Sequence, residues 1–167
     1  GTQLTLRTFH AGGTAGNIAA NASIVAKNTA RLEFEELRTV DSIDESGETV
    51  KVVVGRLAEA RFVDVNTGIV LSTHNVPYGS KLYASDGEVV EKGKLIAKWD
   101  PFNAVIVTEA AGKIEFESMI ENVTYKADVD DATGLREIII IESKDRTKVP
   151  SVHITTEDGN LIRTYNF

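Results

Sequence analysis

The chain has 167 residues and a formal net charge of −7, with 42% of its residues hydrophobic, 26% charged and none cysteine. That length suffices for a real core. The absence of thiols rules out disulfides and thiolate zinc sites and suits a reducing cytoplasm, and no apolar run approaches the roughly 18 residues of a membrane span or the order of a signal peptide.

The first element, Gly1 to His10 (Gly-Thr-Gln-Leu-Thr-Leu-Arg-Thr-Phe-His), is the most specific stretch. Wound as a helix, it sets Gln3, Leu6, Arg7 and His10 at i, i+3, i+4 and i+7 on one face. An amide, an apolar knob, a guanidinium fork and an imidazole together suit a nucleoside triphosphate: sugar, base and phosphates. Such a helix is weak on its own, because Thr2, Thr5 and Thr8 are poor helix formers and helices under about 12 to 15 residues are marginal in water. Leu4 and Leu6 also alternate with period two, which leaves an edge strand open. Gly12, Gly13 and Gly16 follow among small residues and read as a hinge.

Charge changes after this lead. Residues 1–31 carry Arg7, Lys27 and Arg31 and no acid, +3, whereas the remainder balances at −10. A basic lead can face phosphates; the acidic body would repel nucleic acid. From residue 30 onward the pattern is strand-like over 31–40, 49–56, 60–65, 69–73, 95–99, 105–108, 113–116, 137–142 and 152–156. Turns are expected at Gly47, Gly68, Gly87, Gly93 and Gly159. Short strands at this spacing predict an all-β sandwich or barrel.

Gly1 to Gly13 resembles the trigger loop of the largest, beta-prime, subunit of bacterial multisubunit RNA polymerases, whose pattern reads close to G-T-Q-L-T-M-R-T-F-H-x-G-G. Leu6 stands where the family usually has Met, keeping an apolar contact but trading a flexible thioether for a branched side chain. The resemblance implies that Gln3 approaches the ribose, Leu6 the base, and Arg7 and His10 the phosphates of the incoming nucleotide, with Arg7 and His10 catalytic. It implies nucleotidyl transfer, partners among the other polymerase subunits and the DNA/RNA hybrid, and Mg2+ held by residues outside this chain.

The segments 76–84, 86–101 and 106–114 resemble the strand-turn cadence of biotinyl and lipoyl carrier domains. The carrier's modified lysine is missing, since no Lys lies between Phe102 and Gly112. Both resemblances meet in the sandwich-barrel hybrid insertion that some lineages carry inside the trigger loop. On that basis the chain is a fragment of a longer subunit: a trigger helix and hinge over 1–20, a first module over 21–119, and the opening part of a second over 120–167. The truncated module's edge, near Glu137 to Glu142, is expected to pair with the first module or a second copy.

Other chemistry is thin. His10, His74 and His153 are scattered, no H-E-x-x-H or G-x-S-x-G occurs, and no metal site is expected. Gly87 to Gly93 fails as a Walker loop, and Asp128, Asp130 and Asp131 read as an acidic turn. Trp99 reads as a core aromatic. The alternative is a stand-alone β-barrel binding module with no catalytic role.

Overall fold

The structure, a computed structural model, describes residues 4–7 and 22–167. The described residues are all-β, with antiparallel sheets and no helix. Contacts divide the chain into two compact units, Gly1–Glu109 and Ala110–Phe167.

The first unit holds β1 (Leu4–Arg7), β2 (Ser23–Val25), β3 (Ala30–Glu35), β4 (Thr39–Ile43), β5 (Thr49–Val53), β6 (Glu59–Val63), β7 (Val70–Asn75), β8 (Lys81–Leu82), β9 (Val89–Val90), β10 (Leu95–Lys98) and β11 (Asn103–Ile106). A five-stranded sheet runs β2-β10-β8-β5-β4, a four-stranded sheet runs β7-β6-β3-β9, and β1 pairs with β11. Ile24, Val53, Leu82 and Ile96 from the first sheet meet Leu32, Phe62 and Val90 from the second in one buried core, with Phe34 and Trp99 packed against it. Period-two patterning produces this arrangement. In β6, Ala60 and Phe62 are buried on either side of half-buried Arg61, and in β5 Val53 enters this core while Val50 and Val52, one residue out of phase with it, are also buried. Fully burying a side chain such as Leu32 or Phe62 contributes about 1.5–3 kcal/mol.

The outer face of the four-stranded sheet is ionic, with Arg31 on Glu33 (2.8 Å) and Arg61 on Glu35. Turns close as their glycines require. Between β6 and β7 the Asp64 carboxylate accepts the N–H groups of Asn66 (2.9 Å) and Thr67 (2.8 Å), and Gly68 completes the turn at φ 70°. The ends of the five-stranded sheet's neighbours also meet: β2 pairs with β10, and the Trp99 N–H donates to the Ala22 carbonyl at 3.0 Å.

One expectation is corrected here. The strand expected over 31–40 is two strands. Glu36 sits at φ 50°, in the left-handed region, and passes the chain from β3 in one sheet to β4 in the other. The backbone at Leu4–Arg7 is a strand, the extended alternative that the alternating leucines left open, with Leu4 opposite Ile106 and Arg7 opposite Asn103. Thr5 and the period-two leucines suit an extended backbone, and a helix this short has little to hold it.

The second unit holds β12 (Lys113–Glu117), β13 (Tyr125–Val129), β14 (Arg136–Ile140), β15 (Ser151–Thr155) and β16 (Leu161–Asn166). β12-β15-β16 form one sheet and β13-β14 a two-stranded ribbon. The segment expected at Glu137 to Glu142 is therefore paired, through β14, with its own neighbour β13. Thr124, fully buried, ties the approach to β13: its hydroxyl donates to the Ser118 carbonyl at 2.7 Å and accepts the Ile120 N–H at 2.8 Å.

Candidate functional site

The residues expected to contact nucleotide divide sharply. Leu6 and Arg7 lie in β1, opposite Ala104 and Asn103 of β11. Gln3, His10 and the hinge glycines Gly12, Gly13 and Gly16 lie outside the described residues.

What the structure does show is how β11, the strand that receives β1, is fixed. Upstream, the Asp100 carboxylate accepts the Phe102 N–H at 2.8 Å and the Asn103 side-chain amide. The Asn103 amide first, then the Phe102 N–H, hold its carboxyl below the usual aspartate range. Downstream, the Val107 N–H donates to the Tyr78 hydroxyl at 2.9 Å, and the Arg56 guanidinium lies 5.9 Å from the Tyr78 ring centroid. Gly79 adopts φ 83°, and a Cβ there would stand 2.5 Å from Val105 Cγ2. The Arg38 guanidinium pairs with Glu109 at 3.2 Å just beyond β11. Neither Tyr78 nor Gly79 had a sequence signal for this task, which depends on contacts across nearly thirty residues.

Nucleophilic or metal chemistry finds no footing among the described residues. Ser151 Oγ and Glu117 Oε2 both approach His153 Nε2, at 3.2 and 2.8 Å. A nucleophile-base-orienter relay needs the two ring nitrogens to serve different partners, so this cluster, with both groups on Nε2, does not have the geometry of a relay. No group of three or more His, Asp or Glu could hold a metal ion among the described residues. Asp130 caps its own turn by accepting the Ala132 N–H at 2.8 Å.

The displaced carboxyls point the same way. Asp44, Asp64, Glu88 and Asp145 all titrate below their usual range: Asp44 chiefly through the Ser46 hydroxyl, Asp64 through the Thr67 N–H, Glu88 through the Lys94 ammonium and Asp145 through the Thr147 hydroxyl. Each is an ionised turn or loop carboxylate stabilised by donors, the opposite of a general acid held neutral near pH 7. A groove of about 430 Å³ in the first unit is lined by Glu36, Arg56, Leu57, Glu59, Asn75 and Pro77, among others, and contains no nucleophile beside a base. No helix among the described residues is long and apolar enough to cross a membrane.

No protein-family model matches the chain. Individual relatives do. It is 86% identical over 166 residues to the DNA-directed RNA polymerase subunit beta' of Phocaeicola vulgatus, 60% identical over 167 residues to that of Parabacteroides distasonis, and 48% identical over 166 residues to that of Flavobacterium johnsoniae. Each match covers 99% of this chain and 12% of the relative.

Proposed function

We infer that this chain, which belongs as a segment to the family of DNA-directed RNA polymerase beta' subunits, is the trigger loop of such a subunit with an insertion. In this reading Gln3, Leu6, Arg7 and His10 fold into a helix over the incoming nucleoside triphosphate. Gln3 meets the sugar and Leu6 the base. Arg7 and His10 meet the phosphates and stabilise the charge that develops on the pyrophosphate leaving group, with His10 also positioned to donate a proton. Mg2+ would be held by other parts of the subunit. Residues 21–167 are the insertion, built on the sandwich-barrel hybrid plan, and supply no reacting group. The observation that carries the reading is the Gly1 to Gly13 pattern, departing from the family's only in Leu6 for Met, within a match to beta' subunits covering 99% of the chain.

The strand state of Leu4–Arg7 gives the proposal a structural cost. Its four backbone pairings with β11 must open before a helix can form, so nucleotide binding competes with β1–β11 pairing. By coupling to this equilibrium the insertion would bias loop folding, pausing and elongation without touching substrate.

The test is single-nucleotide addition by assembled polymerase. Arg7→Ala and His10→Ala should each slow addition by about 10² to 10³, the scale of losing one transition-state donor. Parental rates for both variants at saturating nucleotide would end the trigger-loop reading.

A further inference from the structure

The larger sheets of the first unit end in β2 and β4 and in β7 and β9, and all but β7 are blunted as edges usually are. β2 and β9 are short, and β4 carries Asp41 in an ion pair with Lys51 of its neighbour β5. β7 is six residues long, and residues 65–80 contain no Lys, Arg, Asp or Glu. Past a bulge at Leu71 its register with β6 is regular, with Ser72 opposite Phe62, Thr73 opposite Arg61, His74 opposite Ala60 and Asn75 opposite Glu59. The Val76 N–H donates to the Ala58 carbonyl at 2.8 Å, which fixes the phase of this ladder. Ser72 and His74 therefore exchange hydrogen bonds with β6, and Thr73 and Asn75 turn their N–H and C=O groups the other way, toward no partner among the described residues. Val70 and Leu71 lie exposed on the same strand. The groove described above opens at the end toward which β7 runs, lined there by Asn75, buried Val76 and exposed Leu57. Its Glu35 is paired with Arg61, whereas Glu36 and Glu59 pair with no cation among the described residues. Arg56, also in the lining, lies against the Tyr78 ring.

We propose that β7 is the docking edge for an extended segment of a second protein, uncharged where it pairs with β7 and carrying a Lys or Arg at the end that reaches Glu36 and Glu59. In strand addition the main-chain hydrogen bonds hold the segment and a pocket selects it. Antiparallel pairing is the commoner arrangement, and it brings the N-terminal end of the incoming strand to the groove. The aliphatic stem of a Lys or Arg can lie along Leu57 while its cation meets the two carboxylates. A second copy of this chain does not supply that cation. Antiparallel β7–β7 pairing would bring the β6–β7 turn of one copy to the groove of the other, and residues 65–75 hold no Lys or Arg. The proposal needs only the geometry of the first unit and is independent of the nucleotide-facing roles of Arg7 and His10.

The experiment follows amide hydrogen exchange by NMR in the 167-residue chain, with the peptide acetyl-Lys-Thr-Val-Thr-Val-Thr-amide as probe. Without peptide, Thr73 and Asn75 should exchange fast and Ser72 and His74 slowly. With peptide at about ten times its dissociation constant, Thr73 and Asn75 should slow about 10-fold, because only about one molecule in eleven then has a free edge. A peptide with Pro in place of both Val residues, which cannot form an extended hydrogen-bonding edge, should give no protection. Exchanging the peptide's Lys for Glu should weaken binding by about 5-fold or more, the scale of one exposed ion pair. Glu36→Gln combined with Glu59→Gln should abolish that preference while Trp99 fluorescence reports an intact core. No slowing at Thr73 and Asn75 with millimolar peptide, equal slowing by the Pro peptide, equal binding of the Lys and Glu peptides, or a preference that survives the double substitution would each overturn the proposal. So would protection of Thr73 and Asn75 in the chain alone, because the edge would then be held by a second copy, if dilution removes the protection, or by this chain itself.

Discussion

Gly79→Ala should destabilise the first unit more than a surface substitution has any right to. Gly79 holds φ 83°, a left-handed conformation that costs an L-residue about 1–2 kcal/mol. The added Cβ would also meet Val105 Cγ2 at 2.5 Å, and overpacking of this kind typically costs about 1–3 kcal/mol. Reduced freedom of the unfolded chain offsets about 0.4–1 kcal/mol. The net expectation is about 2–4 kcal/mol. Urea titration followed by fluorescence of Trp99, the sole tryptophan, reads this unit directly because that ring packs against its core. With a slope of about 1–3 kcal/mol per molar, the midpoint should fall by roughly 1 M or more. Gly79→Ala combined with Val105→Ala should recover the steric part and leave the backbone part, a coupling of about 1–3 kcal/mol. A Gly79→Ala shift under about 0.5 kcal/mol would refute the argument, as would additivity within about 0.5 kcal/mol in the double variant.

Thr124→Val should cost about 1–3 kcal/mol in the second unit, because the isosteric methyl leaves the Ile120 N–H and the Ser118 carbonyl without their shared buried hydroxyl; faster amide exchange around Ile120 than in the parent is the check. Asp64 titrates below its ordinary 3.8 through the Thr67 and Asn66 N–H groups, so its stabilisation is complete above the unfolded value and drains away as pH falls through the lower folded one. Asp64→Asn should flatten that part of the acid limb below about pH 4, and an NMR-observed Asp64 carboxyl titrating at or above 3.8 would contradict it.

Turn chemistry was the most legible layer of this sequence. Gly47, Gly68, Gly87, Gly93 and Gly159 all adopt positive φ where turns were expected; at Gly47, Gly87 and Gly159 a Ser or Asp stands immediately before the glycine and specifies the local backbone without help from distant contacts. The sheet switch at Glu36 carried no such mark: a glutamate at φ 50° is a tertiary outcome, set by which sheet each half of the strand joins. β8 and β9, two residues each, are too short for any periodicity to register. β13 was missed although Tyr125, Ala127 and Val129 alternate with Lys126 and Asp128, a period-two signal five residues long. Leu4–Arg7 supports both a helical and a strand period, and the partner strand almost a hundred residues away decides between them. As for the candidate site, Leu6 and Arg7 were singled out by residue type within Gly1 to His10, but the pairing of Leu4–Arg7 with β11 carried no mark in the sequence. That pairing depends on Tyr78, Gly79 and Asp100, whose roles exist only once the chain has folded.

The pairing of β2 with β10, closed by the Trp99 N–H on the Ala22 carbonyl, makes the stretch between them topologically a plug-in. Its way in and its way out lie side by side, so a host loop has to part by only about one strand spacing, roughly 5 Å, to accept it. Domains with adjoining ends are the ones that chains acquire and lose most readily, and a host chain could carry such a passenger without being stretched by it.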